Sequence, residues 1–204
     1  ACINSNSIFI MGNFTDFFTV ASSNNLIESI SGICDGRTIE GVSSSYTFEN
    51  VTGGQTTNDS YADITGSSIT YVPPADTKYV HYEYIFKFDP TSRSGISHFR
   101  LYVDNSEVTA AYRQLSSSDG YTTGYAYGVM QGRMDFVFDL TASSDDIPNG
   151  KFSNWTTGKT IKMKARRYSS SYTSSMNTNN WMDGSGASGD GVWTYPLLTV
   201  SAYS

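Results

Sequence analysis

An antiparallel β-sandwich of the jelly-roll type, with about nine strands, is predicted for this chain of 204 residues by three observations. The first is composition. Ser and Thr supply about a quarter of the chain, aromatics reach 14% with 15 Tyr and 11 Phe, and charged residues fall to 16%. Such a mixture disfavours helices and suits strands joined by polar turns. The second is side-chain alternation with period two in several segments. The third is the regular spacing of turn clusters between those segments. A chain of this length can bury a sizeable core without metal or disulfide staples.

Residues 1–44 stand apart in the sequence. Ile8-Phe9-Ile10-Met11 and Phe14-Thr15-Asp16-Phe17-Phe18-Thr19-Val20 are apolar clusters without a clean period. They read either as strands packed on the main body or as an arm docked on another subunit, and the arm is preferred because aromatic-rich segments do not stay solvated alone. The division expected is therefore 1–44 as an N-terminal docking segment and 45–204 as the jelly-roll domain.

Within 45–204 the clearest strand is 79–88, with Val80, Tyr82, Tyr84, Phe86 and Phe88 on one face and His81, Glu83 and Lys87 on the other. The same alternation sets Phe99, Leu101 and Val103 inside, opposite His98, Arg100 and Tyr102. It sets Met134, Phe136, Phe138 and Leu140 opposite Asp135 and Asp139, and Ile161, Met163 and Ala165 opposite Lys162, Lys164 and Arg166. A last strand is placed at 197–203, and weaker ones at 46–51, 67–72, 108–114 and 122–130. Turns are read at 73–76, 104–106, 116–120, 131–132 and 145–150. The row Lys162, Lys164, Arg166, extended by Arg167, is expected to meet Asp135 and Asp139 on a facing strand, in the same chain or in a neighbour. Residues 168–191 form one long stretch without a strand signal, and a loop of that length is usually functional or disordered.

A net charge of -6 excludes a dominant nucleic-acid role, which needs clustered Lys and Arg, and argues against docking on anionic membranes. No apolar run approaches the roughly 18 residues of a spanning helix. Ala1-Cys2-Ile3-Asn4 lacks a basic n-region and an initiator Met, so the start reads as processed or trimmed rather than as a signal peptide. Cys2 and Cys34 form either a disulfide tying the N-terminal segment to the body or two unrelated thiols.

Catalytic signals are absent. His81 and His98 fall on polar strand faces, no nucleophile elbow, zinc motif or phosphate loop is present, and Asp145-Asp146 reads as the cap of its turn. No enzymatic activity is expected. Asp183, Ser185 and Asp190 offer oxygen ligands, but the calcium-loop spacing is missing, so a plain loop is preferred and no metal or cofactor is expected. Recognition fits better. Tyr and Ser give contact area and hydrogen bonding at low entropic cost, and aromatic rings stack on the apolar faces of sugars. The candidate binding residues are Tyr168, Tyr172, Trp181 and Asp183 in the long stretch, with Tyr121 and Tyr125 as second choices. The competing reading makes these rings core or subunit-interface residues.

Several stretches resemble virion proteins. Ser60-Tyr61-Ala62-Asp63-Ile64-Thr65-Gly66, the Pro-ended Ile69-Thr70-Tyr71-Val72-Pro73-Pro74, and Lys78-Tyr79-Val80 are similar to a segment of bacteriophage tail-fibre and virion-appendage proteins, notably marine ones. Phe99 to Val108, Trp155 to Arg166, Trp181-Met182-Asp183-Gly184 and Pro196 to Val200 resemble the rest of that module. The resemblance covers 45–204. It implies a head domain similar to tumour-necrosis-factor-like and C1q-like trimers, a homotrimer on the virion surface that binds a host-surface ligand, a glycan by the chemistry above, with residues 1–44 meeting other virion proteins. The missing Gly-x-y or heptad shaft departs from a full-length fibre and leaves a head fibre or capsid decoration (cement) protein as alternatives. A secreted carbohydrate-binding lectin-like module is a further one. Assembly in a reducing bacterial cytoplasm would leave Cys2 and Cys34 as thiols.

Overall fold

The computed structural model describes residues 25–91, 95–116, 130–179 and 192–204. Its strands, in chain order, are β1 (Leu26–Ile33), β2 (Thr38–Glu40), β3 (Ser45–Thr47), β4 (Gln55–Thr56), β5 (Ala62–Asp63), β6 (Ile69–Tyr71), β7 (Tyr79–Pro90) and β8 (Ser97–Val103). They continue as β9 (Ser106–Leu115), β10 (Met130–Asp139), β11 (Lys159–Arg167), β12 (Ser174–Met176), β13 (Thr178–Asn179), β14 (Val192–Trp193) and β15 (Leu197–Tyr203). The one helical turn among the described residues is a 3-10 turn at Ile147–Asn149.

All strand pairs are antiparallel, and they form two main sheets. In the first, β7 pairs with β10 along one edge, while β15 and then β12 follow its other edge; β1 lies outside β15 and β4 outside β12. In the second, β11 lies between β8 and the short strands β5 and β6, and β9 lies outside β8. The chain is thus an all-β antiparallel sandwich. The apolar faces meet in one core, with Val80, Tyr82, Tyr84 and Phe88 of β7 and Leu101, Ile161 and Met163 of the other sheet fully buried. Here the period-two prediction holds for each of these strands.

Four tyrosines, Tyr46, Tyr71, Tyr82 and Tyr84, sit in this core. Each buried phenol needs an acceptor. Tyr82 donates to Ser67 O at 2.6 Å, Tyr84 to Thr65 O at 3.0 Å, and Tyr46 to Val72 O at 2.9 Å, while the Trp155 indole donates to Tyr71 O at 3.1 Å. The irregular segment before and along β6 therefore has its carbonyls satisfied by side chains of β7, of β3 and of the loop before β11. Gly66 sits inside it at φ +91°, and a Cβ there would lie 2.6 Å from Val51 Cγ2. Only glycine tolerates both that backbone and that approach.

Four expectations change. The boundary at residue 44 falls inside the sandwich, because β1 pairs with β15 from Leu26↔Tyr203 to Ile33↔Leu197 and buries Ile30 against the core; residues 1–24 lie outside the described residues. Gln131-Gly132, read as a turn, is inside β10, where Gly132 faces Phe86 and its missing Cβ leaves room for the ring. The stretch from 168 holds β12, whose Ser174 and Ser175 are buried by bonding to one another's neighbours and not by apolar character. Asp135 and Asp139 do not meet the basic row. Asp139 is on β10 in the other sheet and accepts from Thr141 N and Oγ1, at 2.8 and 2.7 Å. The Asp145-Asp146 turn behaves as expected, with Asp145 accepting from Ser153 N and Oγ and Asp146 from Asn149.

Candidate functional site

The outer face of the second sheet collects the residues of interest. Alternation in β8 turns His98, Arg100 and Tyr102 outward, and alternation in β11 does the same for Lys162, Lys164 and Arg166. The register sets these rows side by side, pairing Lys162 with Tyr102, Lys164 with Arg100, and Arg166 with His98. Like charges directly opposite would destabilise such a pair, so the face is interleaved with rings and carboxylates.

The Arg100 guanidinium lies over Tyr61 at 4.1 Å and over Tyr112 at 4.9 Å, and the Arg166 guanidinium over the other side of this group, 5.5 Å from the Tyr61 centroid. The Lys164 ammonium is 5.0 Å from Tyr102. Asp63 of β5 reaches Lys162 at 2.9 Å and Lys164 at 3.2 Å, and Glu107 reaches Arg100 at 3.0 Å. Burial pushes the Glu107 carboxyl up, but hydrogen bonds from Tyr112 and Tyr102 and the Arg100 charge hold it below its ordinary range. At the end of β11, Arg167 bonds Asp59 through Nε at 2.8 Å and Nη2 at 3.2 Å.

The aromatic pair predicted from sequence lies at this end. Tyr168 follows β11, its N–H donating to Ile96 O at 2.9 Å, and a turn closed by Tyr172 N to Ser169 O at 2.9 Å brings Tyr172 back. The two rings meet edge to face at 5.5 Å, and His98 approaches Tyr168 edge to face at 6.2 Å. Tyr168 is 56% exposed. Burial, then the positive field of Arg166 and Arg100, holds the His98 imidazole below its ordinary value. The face therefore offers a neutral ring, two phenols and a guanidinium in a row.

Trp181, Asp183, Tyr121 and Tyr125, with the oxygen cluster Asp183, Ser185 and Asp190, lie outside the described residues. Among the described residues no group of three His, Cys, Asp or Glu side chains is placed to hold a metal ion. Cys34 is a buried thiol donating to Gly66 O at 3.1 Å; burial, then the charges of Glu49 and Asp35, push it up to about 12. Cys2 lies outside the described residues. His81, on the outer face of the first sheet, lines a shallow groove of about 410 Å³ with Tyr79, Val137 and Tyr203.

Sequence reasoning found both outward rows but not their adjacency, and it missed Tyr61 and Tyr112 as parts of the same face. The usable signal was that two basic-aromatic rows share parity with the exposed side of their strands.

No family model matches the chain, and no curated protein matches it. Among solved structures, the chain is similar to two structures of infectious bursal disease virus, of the Gx and Gt strains. Identities are 11% and 10%, TM-scores 0.34 and 0.35, and each match covers 89% of this chain. The chain spans 38% of the length of those viral chains.

Proposed function

We propose that this chain is a non-enzymatic recognition module of a virion surface, a fibre head or appendage that works as a homotrimer and binds a host-surface glycan. The virion reading is supported by the resemblance of 45–204 to phage appendage proteins together with the β-sandwich fold. The observation that carries the ligand reading is the Tyr168–Tyr172 pair, an exposed ring braced by a second ring and by His98. A ring held in place before the ligand arrives avoids the entropic cost of ordering it on binding. Each site is weak alone, and three subunits on many copies per particle raise attachment through multivalency.

The test uses the purified chain and intact host cells. The chain is expected to sediment as a trimer, to compete with particle adsorption, and to bind a glycan array. Tyr168→Ala is expected to lower that binding about tenfold without changing the melting temperature. If the intact chain binds neither cells nor any glycan, the reading is wrong. Antibodies to the chain that fail to label particles would remove the virion part.

A further inference from the structure

We infer that the saccharide read at this face carries a carboxylate, and that Arg166 holds it beside Tyr168. The inference rests on the glycan reading above and specifies the ligand class.

Five cations of the face meet three carboxylates, and four of the five have a carboxylate partner. Lys162 and Lys164 share Asp63, Arg100 has Glu107, and Arg167 has Asp59. Arg166 has no carboxylate within ion-pair distance among the described residues. Its guanidinium makes one hydrogen bond, from Nη1 to Arg167 O at 3.3 Å, and packs against Tyr61. Asp59 feels its charge, but both carboxylate oxygens of Asp59 are already engaged by Arg167. Among the described residues most of the donor fork of Arg166 is therefore unspent, in a position where planar bidentate recognition of a carboxylate needs it.

Placement fits a sugar acid and not a bare anion. Arg166 is directly opposite His98 across the β11–β8 pair, and His98 touches Tyr168. A pyranose ring resting on the exposed Tyr168 would bring a ring carboxylate toward Arg166, with His98 between them. Arg100 and Arg166 flank His98 on this part of the face in a protein of net charge -6. Packing on Tyr61 holds the Arg166 guanidinium without a carboxylate partner among the described residues.

The experiment prints sialate- and glucuronate-terminated oligosaccharides, each beside its methyl ester, and probes them with the full-length chain. Acids are expected to bind about tenfold more tightly than their esters, as for a charge-assisted hydrogen-bonded pair. Arg166→Gln is expected to abolish the difference, bringing acid binding down to the level of the ester, with the melting temperature unchanged. Arg166→Lys is expected to restore part of it. Equal binding of acid and ester, or a difference that survives Arg166→Gln, overturns the carboxylate assignment and leaves the glycan reading in place. If no saccharide of either form binds, both fall.

Discussion

The phenol of Tyr71 donates to Glu28 Oε1 at 2.8 Å, joining β6 of one sheet to β1 of the other through a carboxylate that is 6% exposed. Glu28 also accepts from Val42 N, so one buried side chain fixes β1, the loop after β2 and β6 together. Replacing one member leaves buried polar groups unsatisfied, which costs about 1–3 kcal/mol. Glu28→Ala is expected to lower stability by about that amount, and Tyr71→Phe by about 1 kcal/mol. Denaturant titrations of both variants check this; a neutral Glu28→Ala would mean that β1 is not part of the cooperative unit.

Asp89, at the end of β7 opposite Ser175, is 3% exposed, and burial pushes its carboxyl up to about 6. Its folded value lies above the ordinary 3.8, so the folded state binds the proton more tightly. The resulting stability is present at acid pH and lost as pH rises through about 6. Carboxylates held low, such as Asp63 beside Lys162 and Lys164, act in the opposite sense and lose their contribution as pH falls. The measurement is therefore a difference. Between about pH 4 and 7 the wild type should lose about 2 kcal/mol relative to Asp89→Asn, and parallel profiles would refute the assignment.

Cys34 should be inert in the folded protein, because reaction needs a thiolate and this thiol is buried, hydrogen-bonded and pushed up to about 12. Iodoacetamide under native conditions is expected to leave it unmodified by mass spectrometry. In concentrated guanidinium without reductant it should be alkylated. Failure to alkylate until a reductant is added would reveal a bridge to Cys2.

Gly66→Ala combines a backbone at φ +91° with a Cβ 2.6 Å from Val51 and 3.0 Å from Pro196. Strain and displacement together should cost about 2–4 kcal/mol. A melting-temperature loss of several degrees is expected, and a silent substitution would show that the segment before β6 repacks freely.

Strands β7, β8, β11 and β15 were legible in the sequence because alternation is a local property and their inner residues are apolar. β1 was not. Its buried face is Glu28, Ile30 and Gly32, so a carboxylate and a glycine interrupt the pattern where the strand is most enclosed. β12 was missed for a related reason, since Ser174 and Ser175 are buried through hydroxyl bonds and have no apolar signature. Gly132 looked like a turn because only the ring of Phe86, distant in sequence, explains it. The candidate face was half legible. Outward parity identified Arg100, Lys164 and Arg166, yet the pairing of β8 with β11 joins segments far apart in the chain, and no local signal reports such a partnership.

The pairing of β1 with β15 brings Ser204 N within 3.0 Å of Asn25 O, beside the Tyr79 end of β7. Tyr168 and Tyr172 lie toward the Pro90 end, since β12 and the bond from Thr91 N to Thr173 O tie their turn there. β7 has 12 residues, which at about 3.3 Å each spans roughly 40 Å. Asn25 and Ser204 therefore sit together at one tip of the sandwich, and Tyr168 and Tyr172 occupy the opposite tip.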